Sequence, residues 1–235
     1  MQLNGNWKTG AFLTAAVTAA AAYSYLPSVA GKLRFRGKPT REEKVLYLTF
    51  DDGPSSEYTG ELLDLLKKYE IRASFFVVAE SAEENPDLIE RMKREGHLIG
   101  LHSLNHVSAM LQTPAGTKRD FDESMAIMER IGVTAEYYRP PWGHVNLCTP
   151  GCLKKHGLRK VLWHVMAQDW EKNTTEELIQ YKLLKRARAG SVICLHDGRG
   201  KDRAPKRMID ALDKTIPIWL EEGYRFQRID ERSGQ

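Results

Sequence analysis

The chain has 235 residues, 42% of them hydrophobic, and 35 Lys+Arg against 31 Asp+Glu leave a net charge of +4. That supplies one substantial core and too little chain for two full domains. The mild positive excess is spread over ordinary helix faces rather than gathered into a nucleic-acid-binding motif, so no nucleic-acid partner is expected.

The apolar, alanine-rich stretch 11–26 follows Lys8 and precedes Ser28-Val29-Ala30-Gly31. This is the pattern of a signal-peptide core with a small-x-small cleavage site at Ala30. Retention as a membrane anchor, or an alanine-rich surface helix in a cytosolic protein, stays open, because the stretch is shorter than the roughly 20 residues of a full span. Residues 1–30 are therefore expected to be a signal peptide or N-terminal anchor. Residues 31–44, with Lys32, Arg34, Arg36, Lys38 and Arg41, read as a basic linker, 45–230 as one folded domain and 231–235 as a tail.

Within that domain, strand-like runs fall at 45–50, 73–79, 97–101, 136–139, 161–166, 191–195 and 224–229. Amphipathic runs lie between them. Leu62, Leu63, Leu65, Leu66 and Tyr69 share one helical face, Pro86 opens the next helix and Gly96 closes it. Phe121, Met125, Met128 and Ile131 line a third, ended by Gly132. Thr174 with Glu177 reads as a capping box, and Pro217 is expected to kink or split the last helix. Strands alternating with helices point to an α/β protein with parallel βα units; spacing alone does not separate a barrel from an open doubly wound sheet.

Polar residues concentrate at the ends of these runs. Asp51 and Asp52 close the first, and neighbours at a strand end point to opposite sides of the chain. One carboxylate can then join two neutral imidazoles, such as His102 and His106, around a divalent ion, while the other faces its water. Gly53-Pro54 turns the backbone and keeps both carboxylates at the strand tip. Alone, Asp-Asp-Gly-Pro is an ordinary turn and two histidines four apart are common; their joint occurrence changes the odds.

Five motifs in order, Thr49–Pro54, His102–His106, Arg139-Pro140-Pro141-Trp142-Gly143, Asp169-Trp170 and the run around His196, resemble the polysaccharide deacetylases of carbohydrate esterase family 4, whose catalytic unit is the NodB-type domain. The resemblance spans residues 45–229. It implies a distorted, incomplete (β/α)7 barrel and hydrolysis of N-acetyl groups on the amino sugars of a polysaccharide. Carried over, it makes Asp52, His102 and His106 the ligands of a divalent metal, zinc foremost, with cobalt, nickel or manganese open. Asp51 becomes the general base, braced by Arg139, and His196 the general acid. The backbone N–H of Trp142 becomes an oxyanion donor, and Asp169, Trp170, Pro141 and Cys194 line or support the pocket. An exported or envelope-attached monomer is implied, touching membrane only through its N-terminal segment.

Three positions depart from the family pattern. Met166 stands where many members carry an aspartate that keeps the acid histidine charged, leaving Asp197 or an unplaced residue to take that part. Cys194 replaces a leucine, and Trp142 replaces a tyrosine. Cys148 and Cys152 can close a small disulfide loop, leaving Cys194 unpaired, or stand as two free thiols; free or loosely structural cysteines are expected rather than a second metal centre. His97, His144, His156 and His164 lack motif context and read as structural, with His144 close enough to the third motif to line a groove. Trp163, Trp219, Phe75 and Phe76 read as core. Two rival classes remain: a non-catalytic sugar-binding module on the same barrel, which has no need of Asp51 and His196, and a non-haem iron enzyme using the same two-His-one-carboxylate set.

Overall fold

The first strand, β1 (Val45–Asp51), is buried at every position, as a parallel strand covered on both faces must be. The computed structural model that shows this describes residues 14–15, 18–35 and 44–232. Alternation splits β1 into two sets of side chains. Leu46, Leu48 and Phe50 join the large core between sheet and helices, whereas Val45 and Tyr47 join a smaller inner cluster with Phe76, Tyr137, Val161, Val192 and Ile229. Thr49 and Asp51 continue the second set. Asp51 is thereby delivered to the mouth of the inner cluster.

The sheet grows on both sides of β1. One flank carries β2 (Ser74–Val77), β3 (Leu98–Leu101), β4 (Tyr137–Tyr138) and β5 (Arg159–Lys160); the other carries β7 (Ser191–His196) and then β6 (Val165–Met166). β8 (Arg225–Phe226) pairs with Val45 and Leu46, below the stretch of β1 that pairs with β2. Every pairing is parallel. With β5 and β6 at the two ends of the order, the sheet curls into an incomplete barrel without closing, the architecture expected from the resemblance.

That opening explains one difference from the sequence expectation. The single run 161–166 becomes two short strands, 159–160 and 165–166, because the chain must cross from one end of the sheet to the other, and no straight strand pairs with both β4 and β7. Residues 161–164 make the crossing, with Val161 fully buried in the inner cluster.

The connecting helices are α1 (Leu26–Phe35), preceded by a π-helical turn Ala21–Tyr25, then α2 (Thr59–Lys68), α3 (Ala79–Glu84), α4 (Pro86–Arg94), α5 (Pro114–Arg130), α6 (Thr149–Lys155), α7 (Glu176–Arg186) and α8 (Ala204–Glu221). Two details correct the sequence reading. The cap of α7 is Thr175, whose hydroxyl accepts from Leu178 N–H, while Thr174 is buried against the body. α8 also runs unbroken through Pro217. The carbonyl of Asp213, four residues earlier and denied its helical donor by the proline, accepts the Tyr69 hydroxyl at 3.1 Å.

Helix α1 lies against the body. Ser28 is buried, donating to Val145 O at 2.8 Å and accepting Val145 N–H at 2.9 Å, and Leu147 N–H donates to Tyr23 O at 2.9 Å. Its other side leaves Tyr25, Leu26, Val29 and Leu33 exposed. The helix passes through Ala30 and across the expected boundary at residue 31. Among the described residues no helix is long and apolar enough to cross a membrane. Lys8, residues 11–13, Arg36, Lys38, Arg41 and residues 233–235 lie outside the described residues.

Candidate active site

Strand register brings the motifs together. In the β1–β7 pair Asp51 sits beside His196, and in the β3–β4 pair Leu101 sits beside Tyr138, so the next residues, His102 and Arg139, emerge side by side. The functional residues thus gather at the carboxyl ends of the strands, where βα barrels carry their chemistry.

His102 Nδ1 lies 2.7 Å from Arg139 O, an acceptor, so Nδ1 holds the proton and Nε2 is left as a lone pair. That Nε2 is 3.2 Å from Asp52 Oδ1, and His106 Nε2 is 3.0 Å from the same oxygen. Asp52 Oδ1 is buried with no hydrogen-bond donor. An imidazole lone pair and a carboxylate oxygen turned on each other repel, and a shared cation relieves this; one carboxylate with two imidazoles suits a divalent transition ion.

Asp51 is anchored from two sides. Arg139 Nη1 donates to its Oδ1 at 2.6 Å and to Thr49 Oγ1 at 2.7 Å, and the Cys194 thiol donates to its Oδ2 at 3.2 Å. Arg139 is wholly buried, its guanidinium 4.1 Å from the Phe76 ring centroid and 5.8 Å from that of Trp163. Burial, reinforced by the Asp51 charge, pushes the Cys194 thiol up to about 12, so it stays a protonated donor.

His196 finds its carboxylate partner in Asp169 rather than at position 166 or 197. Its backbone N–H donates to Asp169 Oδ2 at 2.8 Å, and its Nδ1 lies 3.2 Å from Asp169 Oδ1. Burial pulls the imidazole pKa down, but the Asp169 carboxylate more than reverses this, leaving His196 well above 6.5. The Trp170 ring stands edge-on to it at 4.9 Å. Asp197 points elsewhere. It accepts the Thr59 hydroxyl at 2.5 Å beneath the Asp52-Gly53 turn, and burial raises it to about 7. Gly53 and Gly198 permit this packing, because a Cβ on the first would strike the Asp197 carboxylate and one on the second the Asp52 carbonyl.

Above these groups opens a cleft of about 630 Å³. Trp142, 51% exposed, covers His106 with ring centroids 4.3 Å apart. Pro141 is buried at the start of the same turn. His144, Trp163, Met166 and Trp170 form further wall. Trp163 is therefore more than the core residue its sequence suggested, whereas His144 lines the groove as anticipated. Lys32, Arg199 and Lys201 also line the cleft and carried no motif signal. Asp52, Ser103, His106, Trp142 and Gln168, all within or beside the motifs, have φ between 54° and 80°. Non-glycine residues are costly there, roughly 1–3 kcal/mol each, and cluster where a site needs side chains aimed off the regular path. His97 is structural: its Nδ1 accepts Ala73 N–H, and burial pushes it down to about 4. Cys148, Cys152 and Cys194 are free thiols.

A family model described as polysaccharide deacetylase matches residues 38–161. A peptidoglycan-N-acetylglucosamine deacetylase of Bacillus cereus is 34% identical over 191 residues, 80% of this chain and 88% of that protein. A peptidoglycan-N-acetylmuramic acid deacetylase of Bacillus subtilis, PdaA, is 32% identical over 194 residues, 81% and 72% of the two chains. The crystal structure of the Bc1960 peptidoglycan N-acetylglucosamine deacetylase aligns with a TM-score of 0.74 at 30% identity, covering 81% of this chain and 88% of that one.

Because Arg139 neutralises a buried carboxylate, Arg139→Met should cost about 3–5 kcal/mol by stranding Asp51. Urea denaturation measures this, and an unchanged midpoint would refute the bracing.

Proposed function

The chain belongs to the polysaccharide deacetylase family, and from that premise we propose that it hydrolyses the N-acetyl group of amino sugars in a cell-wall glycan, releasing acetate and leaving a free amine. The observation that carries this reading is the meeting of an Asp52-His102-His106 cluster with Asp51 on one strand tip and His196 on its neighbour.

Asp52, His102 and His106 would hold a divalent cation, zinc foremost, which when bound polarises the acetyl carbonyl and acidifies the attacking water. Asp51, kept in place by Arg139 and the Cys194 thiol, accepts the proton of that water. The Trp142 backbone N–H is assigned to the developing oxyanion, a contact of a kind worth about 3 kcal/mol. The positive φ of Trp142 turns its peptide out of the regular path. His196, charged because Asp169 lies behind it, protonates the departing nitrogen, so that a neutral amine leaves rather than an amide anion. Trp170 and Met166 wall the side from which that nitrogen leaves.

Both rival classes leave parts of the site without a task. An iron oxygenase needs neither a buried Arg139–Asp51 pair nor the Asp169–His196 pair, and a sugar-binding module needs no proton acceptor and donor flanking one point. Envelope attachment through the N-terminal segment is supported by the exposed apolar side chains Tyr25, at the end of the π-helical turn, and Leu26, Val29 and Leu33 on α1, which favour contact with lipid or another apolar surface.

Acetate release from N-acetylglucosamine oligomers with added zinc or cobalt tests the reading. Asp51→Asn and His196→Ala should each slow turnover about 10²–10⁴-fold, the first with an added loss of stability because it leaves the buried Arg139 unpaired; rates equal to wild type would remove those roles. The pH profile adds a second check. A histidine whose folded pKa is raised contributes stability fully below its unfolded value near 6.5, and this is lost as pH rises through the folded value. Asp169→Asn should therefore move the alkaline limb of kcat to lower pH. An unmoved limb would dissociate Asp169 from the acid.

A further inference from the structure

Three cations line the cleft, and none has an ion-pair partner among the described residues: Lys32 on α1, and Arg199 and Lys201 in the loop between β7 and α8. Of the two carboxylates on the cleft floor, Asp51 is paired with Arg139 and Asp52 belongs with His102 and His106 to the group that would hold the cation. The rim is therefore positive with nothing of its own to neutralise it.

Each cation is placed by surrounding structure. Ser24, Ser28 and Lys32 recur every four residues and share the side of the N-terminal helix turned to the body, where Ser24 and Ser28 are buried and Ser28 is bonded twice to Val145. The stem of Lys32 then crosses the third-motif turn at close range. A Cβ on Gly143, whose φ is +68°, would lie 3.0 Å from Lys32 Cε and 3.2 Å from Trp163. Across the cleft, Lys201 N–H donates to Trp170 O at 3.3 Å. Gly200, between the two other cations, has φ +139° and would place a Cβ 3.3 Å from the Trp170 backbone. The loop is thus laid along the pocket-wall tryptophan, and Arg199 and Lys201 face the same space as Lys32.

We propose that these three cations make the cleft selective for N-acetylated glycans that carry a carboxylate next to the scissile amide, over neutral oligomers of the same length. The proposal rests on the deacetylase reading and deepens it. Lys32, Arg199 and Lys201 receive the carboxylate while the acetamide enters between Asp51 and His196. A field of one sign in a recessed cleft raises the local concentration of an anionic ligand and makes its capture dependent on salt. Two sources share this chemistry: an ether-linked lactyl group on the sugar itself, and the carboxylates of a peptide attached to it.

The test uses the full chain and three glycans: an N-acetylglucosamine tetramer, a tetramer with a lactyl ether on alternate sugars, and that tetramer with peptides amidating the lactyl groups. Wild type should favour the acidic glycans, with the preference fading as salt rises. Lys32→Met should lower the acidic-to-neutral ratio of kcat/KM about two- to five-fold, chiefly through KM. The triple change Lys32→Met, Arg199→Gln, Lys201→Met should lower it roughly ten-fold or more. Loss confined to the lactyl tetramer, or to the peptide-bearing one, identifies the source. Equal use of acidic and neutral glycans by wild type, or a ratio untouched in Lys32→Met and the triple variant, overturns the proposal while leaving the deacetylase reading intact. If no glycan releases acetate, that reading fails separately. Calorimetric binding of the lactyl and neutral tetramers then decides: weaker acidic binding in the variants upholds the cationic cleft, and equal binding ends it.

Discussion

The guanidinium of Arg139 lies at 0% exposure inside the curl of the sheet, and the arrangement of the site follows from where it is held. One of its nitrogens bridges Thr49 and Asp51, another points to Leu162 O at 3.5 Å, and its backbone carbonyl fixes the tautomer of His102. A buried cation is expensive unless paired, so the position is stable only while Asp51 is ionised beside it. The same residue thus holds the proposed proton acceptor in place and aims one of the imidazoles proposed to bind the cation. Because it joins β1, the end of β4 and the 161–164 crossing, the curl of the sheet and the geometry of the site depend on one ion pair.

Around that pair the backbone leaves its regular paths. β1 can deliver only one of two consecutive carboxylates into the curl, and Asp52 reaches the two histidines through a left-handed residue instead. Ser103 and His106 do the same for the second motif, and Trp142 for the third. The cost of these conformations is borne by close packing beneath them, where Asp197 accepts the Thr59 hydroxyl and packs under the Asp52-Gly53 turn and where two glycines allow the first and fifth motifs to touch. A site assembled this way is positioned before any substrate arrives, which is the form of catalysis that fixed dipoles and oriented acids and bases provide.

Much of this was legible in the sequence because its causes are local. Alternation in 45–51 fixes which carboxylate faces inward, and the five motifs carry their own turns and strand ends. What escaped depends on contacts distant along the chain. The partner of His196 is 27 residues away, and nothing near Met166 or Asp169 says which of them the curled sheet will present. The break at 161–164 follows from the sheet failing to close, a property of all eight strands together. Lys32 enters the cleft only because Ser28 of α1 docks on Val145, 117 residues later, so a composition that reads as leader and linker also forms wall. The caps were misjudged for a smaller reason: Thr174 and Thr175 are equivalent in sequence, and burial of the first leaves the second to cap.

The most direct measurement is a crystal structure of the protein soaked with cobalt and acetate, using the anomalous signal of the metal. One strong peak bounded by Asp52, His102 and His106, with acetate beside it between Asp51 and His196, is the expected result. A peak elsewhere, or acetate bound away from those two side chains, would contradict the convergence on which the proposed chemistry depends.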